Sequence, residues 1–247
     1  MRLFLLTLLF SLITTCIFAQ WEDNYIKLSH KITTETKNIT DFDKIEVSED
    51  FEVYIRFSDN AEKIEIEANE NLHDLIRVEK VGGTLKIDTK SYNLGTGWGK
   101  KGGARERLVA YITAKQLTEI KGDEDVVIEL EDKLYADKLT INLDEDCTLI
   151  GHLEVQNLVV ELDEDSYLDI EGSTQTMEVE ANEDSKIKGF DFVVGDLAIE
   201  LNGDSEAKLT VNGDIDLRAR GDSYFHYRGD GHFIRKRVIG DSEVKHW

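Results

Sequence analysis

Three consecutive acids, Asp144-Glu145-Asp146, return nineteen residues later as Asp163-Glu164-Asp165, and after nineteen more as Asn182-Glu183-Asp184. Carboxylates at this density are the hard oxygen donors that calcium takes. Asp144, Asp146, Asp163, Asp165 and Asp184, with Glu145, Glu164 and Glu183 among them, are therefore candidate cation ligands, and calcium is the one cofactor the sequence raises. None of these runs has the glycine-pivoted calcium loop. Asp, Asn and Ser in turns also bond nearby backbone N–H groups, so a structural role as turn residues takes precedence. A second candidate contact surface is Trp98 with Lys100 and Lys101, where an aromatic face beside two cations suits a glycan.

Catalytic machinery does not assemble from the pattern. His226, His232 and His246 crowd the C-terminal end without a recognisable zinc spacing, and no nucleophile–base–orienter set stands out. Arg-Gly-Asp occurs at 220–222 and 228–230, but the first copy falls on a repeated Gly-Asp turn. The reading is a non-enzyme.

The elements that carry the acids come from alignment on the last acid of each run. Asp125, Asp146, Asp165, Asp184, Asp204, Asp222 and Asp241 recur at intervals of 18 to 21 residues, the signature of a repeat array. Seven residues before each of the last six Asp stand Leu139, Leu158, Met177, Leu197, Ile215 and Ile234. Three before stand Leu143, Leu162, Ala181, Leu201, Ala219 and Val238; three after stand Leu149, Leu168, Ile187, Ala207, Phe225 and Val244. Alternation on both sides of the acid predicts two short strands per repeat with one buried face. Directly after the Asp come Cys147, Ser166, Ser185, Ser205, Ser223 and Ser242, predicting an inward corner with room for small side chains. Stacked coils of this kind form a parallel β-solenoid.

Ahead of the array, residues 39–104 form a second β-rich region. It alternates at Ile45, Val47, Phe51, Val53 and Ile55 and again at Ile64 and Ile66, and ends in the Gly-rich loop 93–103. The array then spans 105–247. Residues 1–19, with Arg2, an apolar run and Ala19, read as a secretory signal, followed by a segment 20–38; Cys16 is a candidate lipidation site. The net charge is −22, which repels nucleic acid and anionic membranes. Only Cys147 would remain after cleavage, so packing rather than a disulfide holds the fold.

With "FDKIEVSEDFEVYI", "KIEIEANENLHDLIRVEKVGGTLKI" and the turns "DEDSY", "NEDSK", "NGDSE", "RGDSY" and "IGDSE" assembled, the chain resembles the auto-transporter adhesin family called the head GIN domain. The family's usual Ser-Gly turns carry acids here. The resemblance implies an all-β fold, a right-handed parallel β-helix preceded by an N-terminal β-rich region, and adhesion at the cell surface. The expected function is thus an exported, non-catalytic binding or adhesion module of the bacterial envelope, in the periplasm or on the outer surface, engaging a cell-surface glycan or protein. A calcium-dependent polysaccharide lyase and an envelope accessory protein are the alternatives. The aromatics Phe225, Tyr227, Phe233 and Trp247 could cap the last coil or join two copies into a homo-oligomer.

Overall fold

The computed structural model describes residues 25–94 and 104–247; the signal segment, Cys16 and the Trp98–Lys100–Lys101 surface lie outside them. The first nine strands are β1 (Tyr25–Ile26), β2 (Ile32–Lys37), β3 (Lys44–Ser48), β4 (Glu52–Phe57), β5 (Lys63–Asn69), β6 (Ile76–Val81), β7 (Thr84–Thr89), β8 (Asn93–Leu94) and β9 (Leu108–Ala114). Next come β10 (Glu119–Asp123), β11 (Val127–Leu130), β12 (Leu134–Leu143), β13 (Thr148–Leu162), β14 (Tyr167–Ala181) and β15 (Lys186–Leu201). The chain finishes with β16 (Glu206–Val211), β17 (Asp214–Gly221), β18 (Tyr224–Arg228), β19 (His232–Gly240) and β20 (Glu243–His246).

The alternation read from the sequence becomes vertical stacks. On one leg Ile45, Ile120, Ile141, Val160, Val179, Ile199 and Leu217 lie in parallel register, one per coil. On the other leg the stack is Val53, Ile128, Leu149, Leu168, Ile187, Ala207, Phe225 and Val244. All but Val244 are buried, and each large aliphatic side chain so buried contributes about 1.5–3 kcal/mol. The chain is a parallel β-solenoid.

The ladder continues across the boundary expected near residue 104. β3 and β4 are the legs of a coil stacked directly on β10 and β11, and β7 and β9, from either side of the Gly-rich stretch, pair in parallel with β3 and β4. Beyond them the strands turn antiparallel: β6 lies on β7, β5 on β9 and β2 on β5. This change of direction closes the N-terminal end, where an open parallel coil would present a pairing edge. Buried Asn69 ties the closure together, donating to the carbonyls of Ser29 and Arg105 at 2.8 and 3.0 Å and accepting from the Arg107 amide at 2.8 Å.

The small inward corner holds at five of the six positions: Cys147, Ser166, Ser185, Ser205 and Ser223 are fully buried, while Ser242 in the last coil is half-buried. At the corners after Asp125 and Asp50 the slot holds Val126 and Phe51 instead, both fully buried. Two columns need correction in the last coil, where Val238 is 38% exposed although Ala219 beneath it is buried. Ile234 is not a core residue but 62% exposed. A register shift seats Phe233 over Ile215 and leaves Ile234 as the bulged residue, after which Arg235 faces Asp216.

Burial pushes the Cys147 thiol up to about 11. An acid group whose folded value is raised stabilises the fold below its unfolded value of 9.0, and that contribution is lost as pH rises through the folded value. The native thiol should therefore resist disulfide exchange at pH 8 and react only on unfolding. Cys147→Ser, matching the other corners, should leave the melting temperature within about 2 °C and reduce the loss of stability above pH 9. Rapid labelling of the folded protein would contradict the buried placement.

Candidate functional site

The corners carry the acids, and their backbone explains the sequence pattern. Glu49-Asp50, Glu124-Asp125, Glu145-Asp146 and Glu164-Asp165 each place two successive residues at positive φ, between 42° and 70°. From the next coil on only the first residue is left-handed: Glu183 at 59°, then Gly203, Gly221 and Gly240 at 70°, 84° and 83°. The peptide plane turns with this change. Asp125 N–H and Asp146 N–H donate forward to the carbonyls of Glu145 and Glu164, whereas Asp222 N–H donates back to the Gly203 carbonyl. The serine hydroxyls follow it: those of Ser205, Ser223 and Ser242 bond corner carbonyls at 2.6–3.2 Å, while the buried hydroxyls of Ser166 and Ser185 have no hydrogen-bond partner among the described residues.

Glycine replaces the acid where the stack tightens. A Cβ at Gly221 would stand 2.7 Å from the Gly203 carbonyl oxygen, and one at Gly240 2.6 Å from that of Gly221. Glu145, Asp146, Glu164, Asp165, Glu183 and Asp184 are exposed, and Asp144 and Asp163 half-buried. Among the described residues no group of three His, Cys, Asp or Glu side chains is placed to hold a metal ion. Asp163 accepts from Asn182 at 2.7 Å, and Asn182 in turn from Asn202 at 2.9 Å, so amides relieve part of the charge ladder. The Glu145 carboxyl is raised by desolvation first, then by Glu124, Asp123, Glu164 and Asp144.

A groove of about 980 Å³ runs along the other leg, lined by Tyr167, Asp169, Lys186, Lys188, Phe190, Lys208 and Arg228, with His152 and Glu171 at its far side. Its wall comes from the irregular repeat lengths. The coil between Asp184 and Asp204 has one residue more than the coil before it and two more than the coil after it, and the register of β15 shifts against β14 and β16 around Gly189–Val193. Phe190 is thereby turned out while Phe192 keeps the core position, and Thr210 Oγ1 donates to the Phe190 carbonyl at 2.7 Å. The Arg228 guanidinium lies 4.1 Å from the Phe190 ring centroid. One column runs Asp169, Lys188, Lys208, His226, Lys245. Lys188 bonds Asp169 at 2.6 Å and Lys208 bonds Glu206, and Lys186, exposed between Tyr167 and Glu206, has no ion-pair partner among the described residues.

His152 approaches Glu171 Oε1 with Nδ1 at 3.1 Å and Glu154 Oε1 with Nε2 at 3.0 Å, and Ser173 donates to Glu154 at 2.7 Å. The Glu154 carboxyl is lowered by His152 and then by Ser173. The serine hydroxyl therefore bonds a carboxylate rather than the imidazole, so it is not placed as an activated nucleophile. The C-terminal histidines lie apart in role: His232 bonds Asp214 at 2.8 Å, and His246 stacks on Tyr227. Arg220 is held by Glu200 at 3.0 Å and Arg228 by Phe190, so both Arg-Gly-Asp arginines already have partners. The groove was not foreseen from the sequence; the 20- and 18-residue intervals flanking Asp204 were its only trace.

A stack of parallel coils, closed at its N-terminal end by antiparallel strands, with filled interior and solvated outer faces defines the class: an all-β solenoid protein. The chain belongs to the family described as "Putative auto-transporter adhesin, head GIN domain", whose model matches residues 41–231. It is similar in structure to a putative adhesin from Bacteroides fragilis, with TM-score 0.81 and 20% identity over 90% of this chain and 100% of that one. It is also similar to a putative lipid binding protein from Parabacteroides distasonis (TM-score 0.69, 19% identity, 90% and 99% covered). A putative adhesin from Parabacteroides merdae matches too (0.65, 20%, 90% and 99%). At these identities the likeness concerns the fold. Among curated proteins no match was found.

Proposed function

We propose that this chain is an exported, non-catalytic binding or adhesion module of the bacterial envelope, held in the periplasm or at the outer surface, and that the groove beside Phe190 takes a cell-surface glycan. The observation that carries the reading is the groove: the solenoid face breaks register to present Tyr167 and Phe190, four lysines and Arg228, interleaved with seven carboxylates, in one concavity. Aromatic faces and spaced charged side chains are what an oligosaccharide contacts. Membership of an adhesin family and the signal-like opening support export and surface binding.

Titration of envelope polysaccharides into the protein should give binding that Tyr167→Ala combined with Lys188→Glu weakens at least tenfold, with the melting temperature little changed. Fractionation of cells making the full chain should recover it outside the cytoplasm. Release of unsaturated uronates would replace this reading with the lyase. Binding unaffected by the groove variants, or a cytoplasmic product, would refute it.

A further inference from the structure

The two ends of the solenoid differ. Antiparallel strands close the N-terminal end, whereas β19 pairs only with β17 and β20 only with β18 among the described residues. Among the described residues the nine of β19 thus form an unpaired parallel edge whose outward N–H and C=O groups can accept another strand. The charge differs too. Residues 218–247 hold seven Lys and Arg against four Asp and Glu, in a chain of net charge −22.

Three of those cations, Arg235, Lys236 and Arg237, are consecutive on β19 and exposed. Arg235 reaches Asp216 at 3.2 Å, and Lys236 lies 4.8 Å from the Phe233 ring centroid. Arg237 stacks on Arg218, another cation, and Glu200 below already serves Arg218 at 3.3 Å. One rung separates stacked side chains by about 4.8 Å, so Arg237 faces a like charge on one side and an open position on the other. Exposed Ile234 and Ile239 supply apolar surface beside them.

We propose that this edge receives an extended acidic segment of a partner protein, added as the next parallel rung on β19. Its carboxylates, at two positions separated by one residue, would meet Arg235 and Arg237. A second copy fits less well. Edge-to-edge pairing of two such ends sets Arg235–Arg237 against itself, and the opposite end offers β2 and β6 with Lys37, Arg77 and Lys80 among their charges. Cations on an edge guard against self-pairing and in the same arrangement select an acidic strand. The inference deepens the binding-module reading by naming a protein partner class, yet it uses a surface separate from the groove.

Fluorescence anisotropy with a labelled nine-residue peptide alternating Glu and Val tests it on the chain starting at Gln20. Binding should be saturable and weakened by salt. It should fall at least tenfold when alternate peptide amides are N-methylated or when Glu is replaced by Lys, and Arg237→Glu should reverse the preference between the two peptides. Tyr167→Ala with Lys188→Glu should leave it unchanged, so loss of glycan binding and loss of peptide binding report on different claims. No binding at millimolar peptide, equal binding of the N-methylated peptide, or concentration-dependent self-association that the Glu peptide does not displace would overturn the proposal.

Discussion

Gly172→Ala should lower the stability of the solenoid by about 3 kcal/mol, and its melting temperature by roughly 10 °C. Gly172 has φ of +111°, a conformation that L side chains rarely adopt, and a Cβ there would stand 2.1 Å from the Leu153 carbonyl oxygen. That carbonyl belongs to the adjoining coil, so the clash can be relieved only by separating two coils or by turning the chain at Gly172 itself. The added methyl would also approach His152 Nε2, 3.1 Å away, and disturb the His152–Glu154 contact at the groove. Gly82→Ala is the matched control. Its φ is also positive, +62°, but nothing lies within 4 Å of the added carbon, so only the backbone preference of about 1 kcal/mol should be lost. Urea unfolding of the two variants separates the contributions; equal effects would mean that the coil contact yields more easily than the geometry indicates.

The second large effect has the opposite sign. Replacing Glu124, Glu145, Glu164 and Glu183 by glycine should raise stability by about 2–4 kcal/mol in total, because each glutamate holds a left-handed conformation that glycine adopts freely. Gly203, Gly221 and Gly240 already fill the equivalent positions. The change also removes stacked charge. The raised carboxyl of Glu145 binds protons more readily folded than unfolded, so its favourable contribution is present in acid and lost as pH rises through its folded value. The gain of the glycine variant over wild type should accordingly be larger at pH 7 than at pH 4. Thermal unfolding at both pH values checks this, and a gain that grows in acid would contradict the repulsion.

Much of this architecture was legible in the residue pattern. Leu158, Val160 and Leu162 before the acid and Leu168 after it alternate as only a half-buried strand does, and the recurrence near nineteen residues sets one coil on the next. The Ser column announced an inward corner because a small side chain at fixed register leaves no other reading. Other features were not legible for physical reasons. Ile234 has the right spacing for the core, but a bulge is decided by how Phe233 packs over Ile215, a contact remote in sequence. The coil formed by β7 and β9 is interrupted by the Gly-rich stretch, so its two legs never appear as one repeat. The groove depends on a register shift at Gly189–Val193, which leaves in the sequence only one interval a residue long and the next a residue short. The change of corner type at Glu183 concerns peptide-plane orientation, which residue identity records only where glycine becomes obligatory.

The left-handed corner geometry predicts that the acids recur as hydrogen-bonding turn residues and not as cation ligands. Its most direct test is thermal unfolding of the chelator-treated protein and of the four-glycine corner variant, each with and without millimolar calcium. The variant should fold with the higher melting temperature, and neither protein should show a calcium-dependent shift. A wild-type melting temperature raised by calcium and a variant that loses the rise would contradict it, making the corners a cation site.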